Sequence, residues 1–175
     1  MNKPLEQHIA FVQQSVQRAL ERIYQRQRDS TTRRLGGKRG RQMAKRFPEV
    51  DSHHIFDEAF WRDDIYHWAT SWHEMIFLLV ALSSRNQAIP LNDSRIEVDI
   101  DRYAHAFAST IAHTVTRRLT ETLIQALNGS ADDDDLHSRV GLVFQELHDQ
   151  AAEQARSMVA KACNDAATTL YIVPT

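Results

Sequence analysis

Cysteine is almost missing from this sequence. Cys163 is the single one in 175 residues, so no internal disulfide can form, and a reducing compartment such as a cytoplasm is expected. Long apolar runs are missing too. The longest, MIFLLVAL at 75–82, spans eight residues, against the roughly 20 that a bilayer demands. The opening MNKPLEQHIAFVQQ lacks the continuous apolar stretch of a signal peptide. Glycine and proline are scarce at five and four. They fall at a few points, and between those points the apolar spacing is helical with little strand-like alternation.

Several chemical signatures are also wanting. The chain holds no Gly-x-Ser-x-Gly elbow and no Gly-x-Gly-x-x-Gly, and LGGKRG at 35–40 contains Gly-Lys without the spacing of a phosphate-binding loop. No Glu-x-x-His is found, although nine histidines are present. Cys163 lies in an alanine-rich stretch, where a small core residue is expected rather than a nucleophile. No catalytic residue, metal site or cofactor is therefore assigned, and a non-enzymatic protein is expected. What is there is an ordinary globular composition, 42% hydrophobic and 25% charged, with length enough for one domain and a substantial core.

Four amphipathic segments follow, over residues 4–29, 52–84, 94–128 and 133–170. In the first, Leu5, Ile9, Val12, Val16, Leu20 and Ile23 make one stripe, with Gln and Arg on the other faces. In the second, Trp61, Ile65, Trp68, Trp72, Met75, Leu79 and Leu82 keep a strict alternation of four and three, so all three tryptophans are expected in the core. Phe56, Phe60 and Phe77 lie partly off that face. The third opens on a capping box, Ser94-Arg95-Ile96-Glu97, carries Tyr103, Phe107, Ile111, Val115, Leu119, Leu123 and Leu127, and stops at Asn128-Gly129. The fourth opens on four aspartates at 132–135, which complement a helix N-terminus. Its stripe runs through Leu136, Val140, Val143, Leu147, Ala151, Met158, Ala162 and Ala166, with Gly141 as the expected break. Short connections favour antiparallel neighbours. The fold predicted is a single all-α domain over 1–175: an elongated four-helix arrangement of long amphipathic helices with a basic inter-helix loop.

That loop is the strongest candidate for function. Residues 31–48, TTRRLGGKRGRQMAKRFP, hold Arg33, Arg34, Lys38, Arg39, Arg41, Lys45 and Arg46, three of the five glycines and no acid. The net charge of the whole chain is −2, so positive charge is concentrated here on an otherwise acidic protein. Arginine forks pair with phosphate oxygens, and glycine lets backbone approach them. No aromatic is interleaved among the cations, so contact with nucleic-acid backbone is expected, without base stacking or sequence preference. The alternatives are an acidic protein surface or the chain's own aspartates.

Residues 153–167, EQARSMVAKACNDAA, resemble the terminal helix of phage head-morphogenesis (minor head) proteins. That family carries an arginine ahead of an apolar-Ala-Arg-Thr-Glu run and then small residues. Arg156, Val159, Ala160 and Ala167 fall on the pattern; Lys161 takes the arginine's place, and Ala162 and Cys163 those of threonine and glutamate. The resemblance implies a virion component near the portal, facing packaged DNA, in host cytoplasm or virion, with other subunits or its own copies as partners. Two other classes stay open. One is a regulatory or inhibitory protein-binding module acting through its helix surface. The other is a carboxylate–histidine metalloprotein, for which Asp64, His67, Asp101, His105, Glu58 and Glu74 are the nearest ligands.

Overall fold

The computed structural model describes residues 3–37, 55–83, 94–129 and 132–171, all but a few of them helical. Five helices succeed one another: α1 (Lys3–Gly36), α2 (Glu58–Ser83), α3 (Ser94–Asn128), α4 (Asp133–Asp149) and α5 (Ala151–Tyr171). No strand occurs among the described residues.

Local hydrogen bonds set several of the helix ends. At α2, Asp57 accepts at Oδ1 from the Phe60 N–H (3.0 Å), and its carbonyl takes the first helical bond from Trp61 N (3.1 Å). The helix therefore begins after Ile55 and Phe56, which turn inward to the core. The predicted start at 52–54 lies outside the described residues. α3 runs from Ser94, the first residue of the predicted capping box, and closes where Gly129 N donates to the Gln125 carbonyl (3.1 Å). At α4, Asp132 caps: its Oδ1 accepts from Asp135 N at 2.8 Å. That is the capping role expected of the aspartate run.

Two helices depart from the predicted boundaries. α1 continues past residue 29 to Gly36 because Gln27, Thr31 and Leu35 extend its buried face by about two further turns. Burial of that face outweighs the weak helix preference of the Asp-Ser-Thr-Thr stretch. The fourth predicted helix is two, parted at Gln150 and not at Gly141. Gln150 N still donates to the Glu146 carbonyl and Gln154 N to the Gln150 carbonyl, both at 3.0 Å. The parting is thus a kink in one column. Arg118 reaches over from α3 to Glu146 (3.4 Å), one turn before it, and to Gln150 Oε1 (3.2 Å) at it. Gly141 stays inside α4 with open space where a Cβ would lie.

Successive columns run antiparallel. Arg26 near the end of α1 pairs with Asp64 near the start of α2, Glu58 at the start of α2 lies by His113 of α3 while Phe77 further on lies by Tyr103, and Thr169 of α5 meets Asp99 at the start of α3. α1 packs along both α4 and α5; α2 packs on α1, α3 and α5; α3 packs on α2 and α4. The core runs along the axis. Fully buried Tyr24, Leu20, Phe77, Phe144, Ile65 and Leu147 anchor it, and Ala151, Ala155, Ala162 and Ala166 let α5 approach its neighbours closely. Tyr24 donates its hydroxyl to Gln154 Oε1 (2.5 Å), tying α1 to α5, and burial raises its pKa above the ordinary phenolic value. One and two turns further, the side chains of Gln27 and Thr31 are buried with no hydrogen-bond partner among the described residues.

Candidate functional site

Of the seven predicted phosphate contacts, Arg33 and Arg34 are exposed on the last turn of α1. They sit on a helix, not in the loop the sequence suggested, since burial of Thr31 and Leu35 keeps that turn wound. Lys38, Arg39, Arg41, Lys45 and Arg46 lie outside the described residues, and so does the loop itself.

The three tryptophans separate. Trp61 and Trp72 are in the core, Trp72 edge-on to Phe107 with ring centroids 6.2 Å apart. Trp68 stands outside, 48% exposed. The expected core stripe is out of phase beyond this point. The buried residues of α2 are Trp61, Ile65, Ala69, Trp72, His73, Ile76, Phe77 and Val80, while Trp68, Met75 and Leu82 face outward. α2 is apolar on nearly every side from Met75 on, so period alone could not tell which sector its neighbours cover.

Beside Trp68 lies a groove of about 400 Å³ between α1 and α2. Its α1 wall carries Arg18, Arg22 and Arg26, one per helical turn; Phe11 closes one end, and Trp68 and Trp72 form the far side. Arg26 is fixed, with Nη1 donating to Asp64 Oδ2 (3.0 Å) and its guanidinium 5.5 Å from the Trp61 ring centre. Arg18 and Arg22 are exposed and have no ion-pair or hydrogen-bond partner among the described residues. The sequence signal for this wall was the Arg-x-x-x-Arg-x-x-x-Arg spacing on the polar face of α1.

A second cleft, of about 420 Å³, opens between α2, α3 and α5 and is mostly apolar. Phe107, Ile111 and Met158 line it with Tyr103 and the 3%-exposed His73. His73 Nδ1 lies 2.7 Å from the Ala69 carbonyl and must carry the proton, which leaves Nε2 as acceptor. Burial lowers the His73 pKa, with the Ala69 carbonyl and Asp165 opposing and Lys161 assisting. Lys161 lies 2.6 Å from Asp165 and 5.4 Å from the Tyr103 ring centre at the rim.

The metal-ligand candidates fall into separate pairs, and only Asp101 and His105 stay together, with His105 Nε2 3.8 Å from Asp101 Oδ1. Asp64 is engaged by Arg26, Asp101 accepts from the Tyr66 hydroxyl (2.5 Å), His105 stacks on that Tyr66 ring, and Glu58 lies 3.8 Å from His113. Among the described residues no group of three or more His, Cys, Asp or Glu side chains could hold a metal ion. Burial raises the pKa of half-buried Cys163, away from the thiolate a nucleophile needs. Among the same residues no helix is long and apolar enough to cross a membrane. Arg156, which carries part of the phage-protein resemblance, is exposed and paired with Glu153 (2.6 Å), whereas Val159 is in the core. Compared with protein-family models, curated proteins and solved structures, the chain matches none of them.

Proposed function

We propose that this chain is a non-enzymatic interaction protein. It assembles with other protein subunits through its helix surface and touches nucleic-acid phosphate with the basic segment Arg33, Arg34, Lys38, Arg39, Arg41, Lys45 and Arg46. One observation carries the reading: an outward apolar stripe on α2, made of Phe60, Trp68, Met75, Leu78 and Leu82 and reaching 74% exposure at Leu82. These residues fall within a narrow sector of the helix and extend over about 33 Å at 1.5 Å per residue. A row of exposed apolar side chains of that kind, with Asp64 and Ser71 interleaved in it, supports an interaction face. The exposed arginines at the end of α1 support the phosphate contact. The resemblance of residues 153–167 to minor head proteins gives the reading its concrete form, a virion head component near the portal.

The same stripe favours a second reading, a regulatory or inhibitory module that covers another protein's surface. Size-exclusion chromatography with light scattering and a 260/280 nm absorbance ratio tests both. Self-assembly predicts a mass that rises with concentration; a strict monomer at high concentration sinks self-assembly and leaves the regulatory module. For the phosphate contact, the double variant Arg39→Ala/Arg41→Ala should retard DNA less at low salt, and unchanged retardation would remove the basic segment from the function.

A further inference from the structure

The basic character of α1 extends well back from its end. Arg18, Arg22 and Arg26 recur every fourth residue, and Arg33, seven beyond Arg26, returns to the same side of the helix. They form a ridge that leads from the α1–α2 groove to the basic segment. The residues lining the groove include no carboxylate. Asp64 neutralises Arg26 just beyond it, but among the described residues no carboxylate pairs with Arg18 or Arg22.

Two chemistries therefore share one groove. Unpaired guanidinium groups offer forked donors that match phosphate oxygens. Successive arginines on one helix face are about 6 Å apart along the axis, which suits neighbouring phosphates of an extended strand. Opposite them, the half-exposed Trp68 indole leans on Trp72 with centroids 6.5 Å apart, a backing that holds it in place. The base of a nucleotide is a flat apolar partner for the open face of an exposed indole. A duplex hides its base faces in the stack, whereas a single strand presents them. The sequence offered no aromatic among the cations of residues 31–48; the fold supplies one from another helix.

We propose that the α1–α2 groove binds single-stranded nucleic acid, with Arg18 and Arg22 on successive phosphates and a base stacked on Trp68. This rests on the reading that the chain contacts nucleic acid and adds to it a preference for unpaired strands.

The test is titration of the full chain at low salt with a short oligothymidylate, a hairpin duplex of equal charge and polyglutamate. Affinity is read by anisotropy and stacking by tryptophan emission. The groove predicts quenched emission with oligothymidylate and affinity at least about tenfold above the duplex. Trp68→Ala should remove most of the quenching, because the other two tryptophans are buried, and should weaken the single strand at least about fivefold. Trp68→Phe should restore part of the affinity. Arg18→Ala/Arg22→Ala should flatten the salt dependence by about 0.7 per arginine. All these positions are exposed, and unchanged melting curves would show the variants folded.

Equal affinity for single strand and duplex with unchanged emission overturns the proposal. If Arg39→Ala/Arg41→Ala alone abolishes binding while the groove variants are silent, phosphate contact through the basic segment survives and the groove does not. Polyglutamate bound as tightly as oligothymidylate, with Trp68→Ala affecting neither, makes the groove an acidic-peptide site instead. No binding of either nucleic acid overturns both readings together.

Discussion

The two faces of α2 are similar in composition and opposite in fate. The inner one holds Trp61, Ile65, Trp72, Ile76 and Phe77, all in the core; the outer one holds Phe60, Trp68, Met75, Leu78 and Leu82, all exposed. Each has aromatic and aliphatic residues at helical spacing. What separates them is neighbours. α1, α3 and α5 cover three sides of α2, which fits a helix that is apolar nearly all round from Met75 on. The fourth side carries the same kind of residues with no described element over them. Burial is a property of the assembly of helices, and the outer face has the chemistry of a surface awaiting its cover.

The largest effect that would break this comparison is on stability. Phe77 is wholly buried between α2 and the Tyr103 ring, 6.2 Å away. Phe77→Ala should cost about 3–5 kcal/mol through lost burial and a residual cavity, measured by denaturant unfolding. Phe60→Ala, on the outer face, should cost less than about 1 kcal/mol. It loses mainly an edge contact with Trp61, at 5.1 Å. Comparable losses at the two sites would mean that both faces are packed.

The stripes of the first, third and fourth segments were legible in the sequence because one face of each is clearly polar. Val12, Val16, Leu20 and Ile23, then Ile111, Val115, Leu119 and Leu123, then Leu136 through Ala166 are buried as their spacing predicts. The second segment was legible only as a helix. With hydrophobic residues on two adjoining sectors, the four-three alternation through Trp68, Met75 and Leu82 fits as well as the true phase through Ala69, Ile76 and Val80. Small Ala69 carries little hydrophobic signal, yet it is the residue a close contact needs. The kink at Gln150 was invisible for a different reason. Nothing in Gln150 breaks a helix, and of the residues that grip the kink, Arg118 is distant in sequence and Glu146 lies one turn before it. The candidate site was half legible: positive charge on α1 shows in the spacing of Arg18, Arg22 and Arg26, but their meeting with Trp68 depends on how two helices pair.

His73 sharpens the comparison at the rim of the inner face. Burial holds its folded pKa below the ordinary value of 6.5. In the window beneath pH 6.5 the unfolded chain therefore binds a proton that the folded chain does not. The stability tied to this group is complete above pH 6.5 and is lost as pH falls through that window. One proton allows a slope of at most about 1.4 kcal/mol per pH unit. His73→Gln should flatten the dependence of unfolding free energy on pH between about 5 and 7. An unaltered slope would mean that the imidazole is solvated and the α2–α3–α5 cleft wider than the structure shows.

The smallest expected effect on stability is the most telling for function. Met75→Gln/Leu82→Gln changes two outward residues, one of them 74% exposed, and exposed substitutions of this kind usually fall within about 0.5 kcal/mol each. A double variant that unfolds at nearly the wild-type denaturant concentration establishes that the outer face is not part of the core. Association should respond quite differently. If α2 docks on a partner, that stripe loses two apolar contacts and gains two polar groups that burial would leave unpaired, at about 1–3 kcal/mol each. The self-associated mass seen by light scattering should then fall to the monomer value at concentrations where the wild type remains assembled. A variant that loses stability together with association would place Met75 and Leu82 inside the fold. One that keeps both would turn the stripe into ordinary exposed surface and remove the observation on which the interaction reading stands.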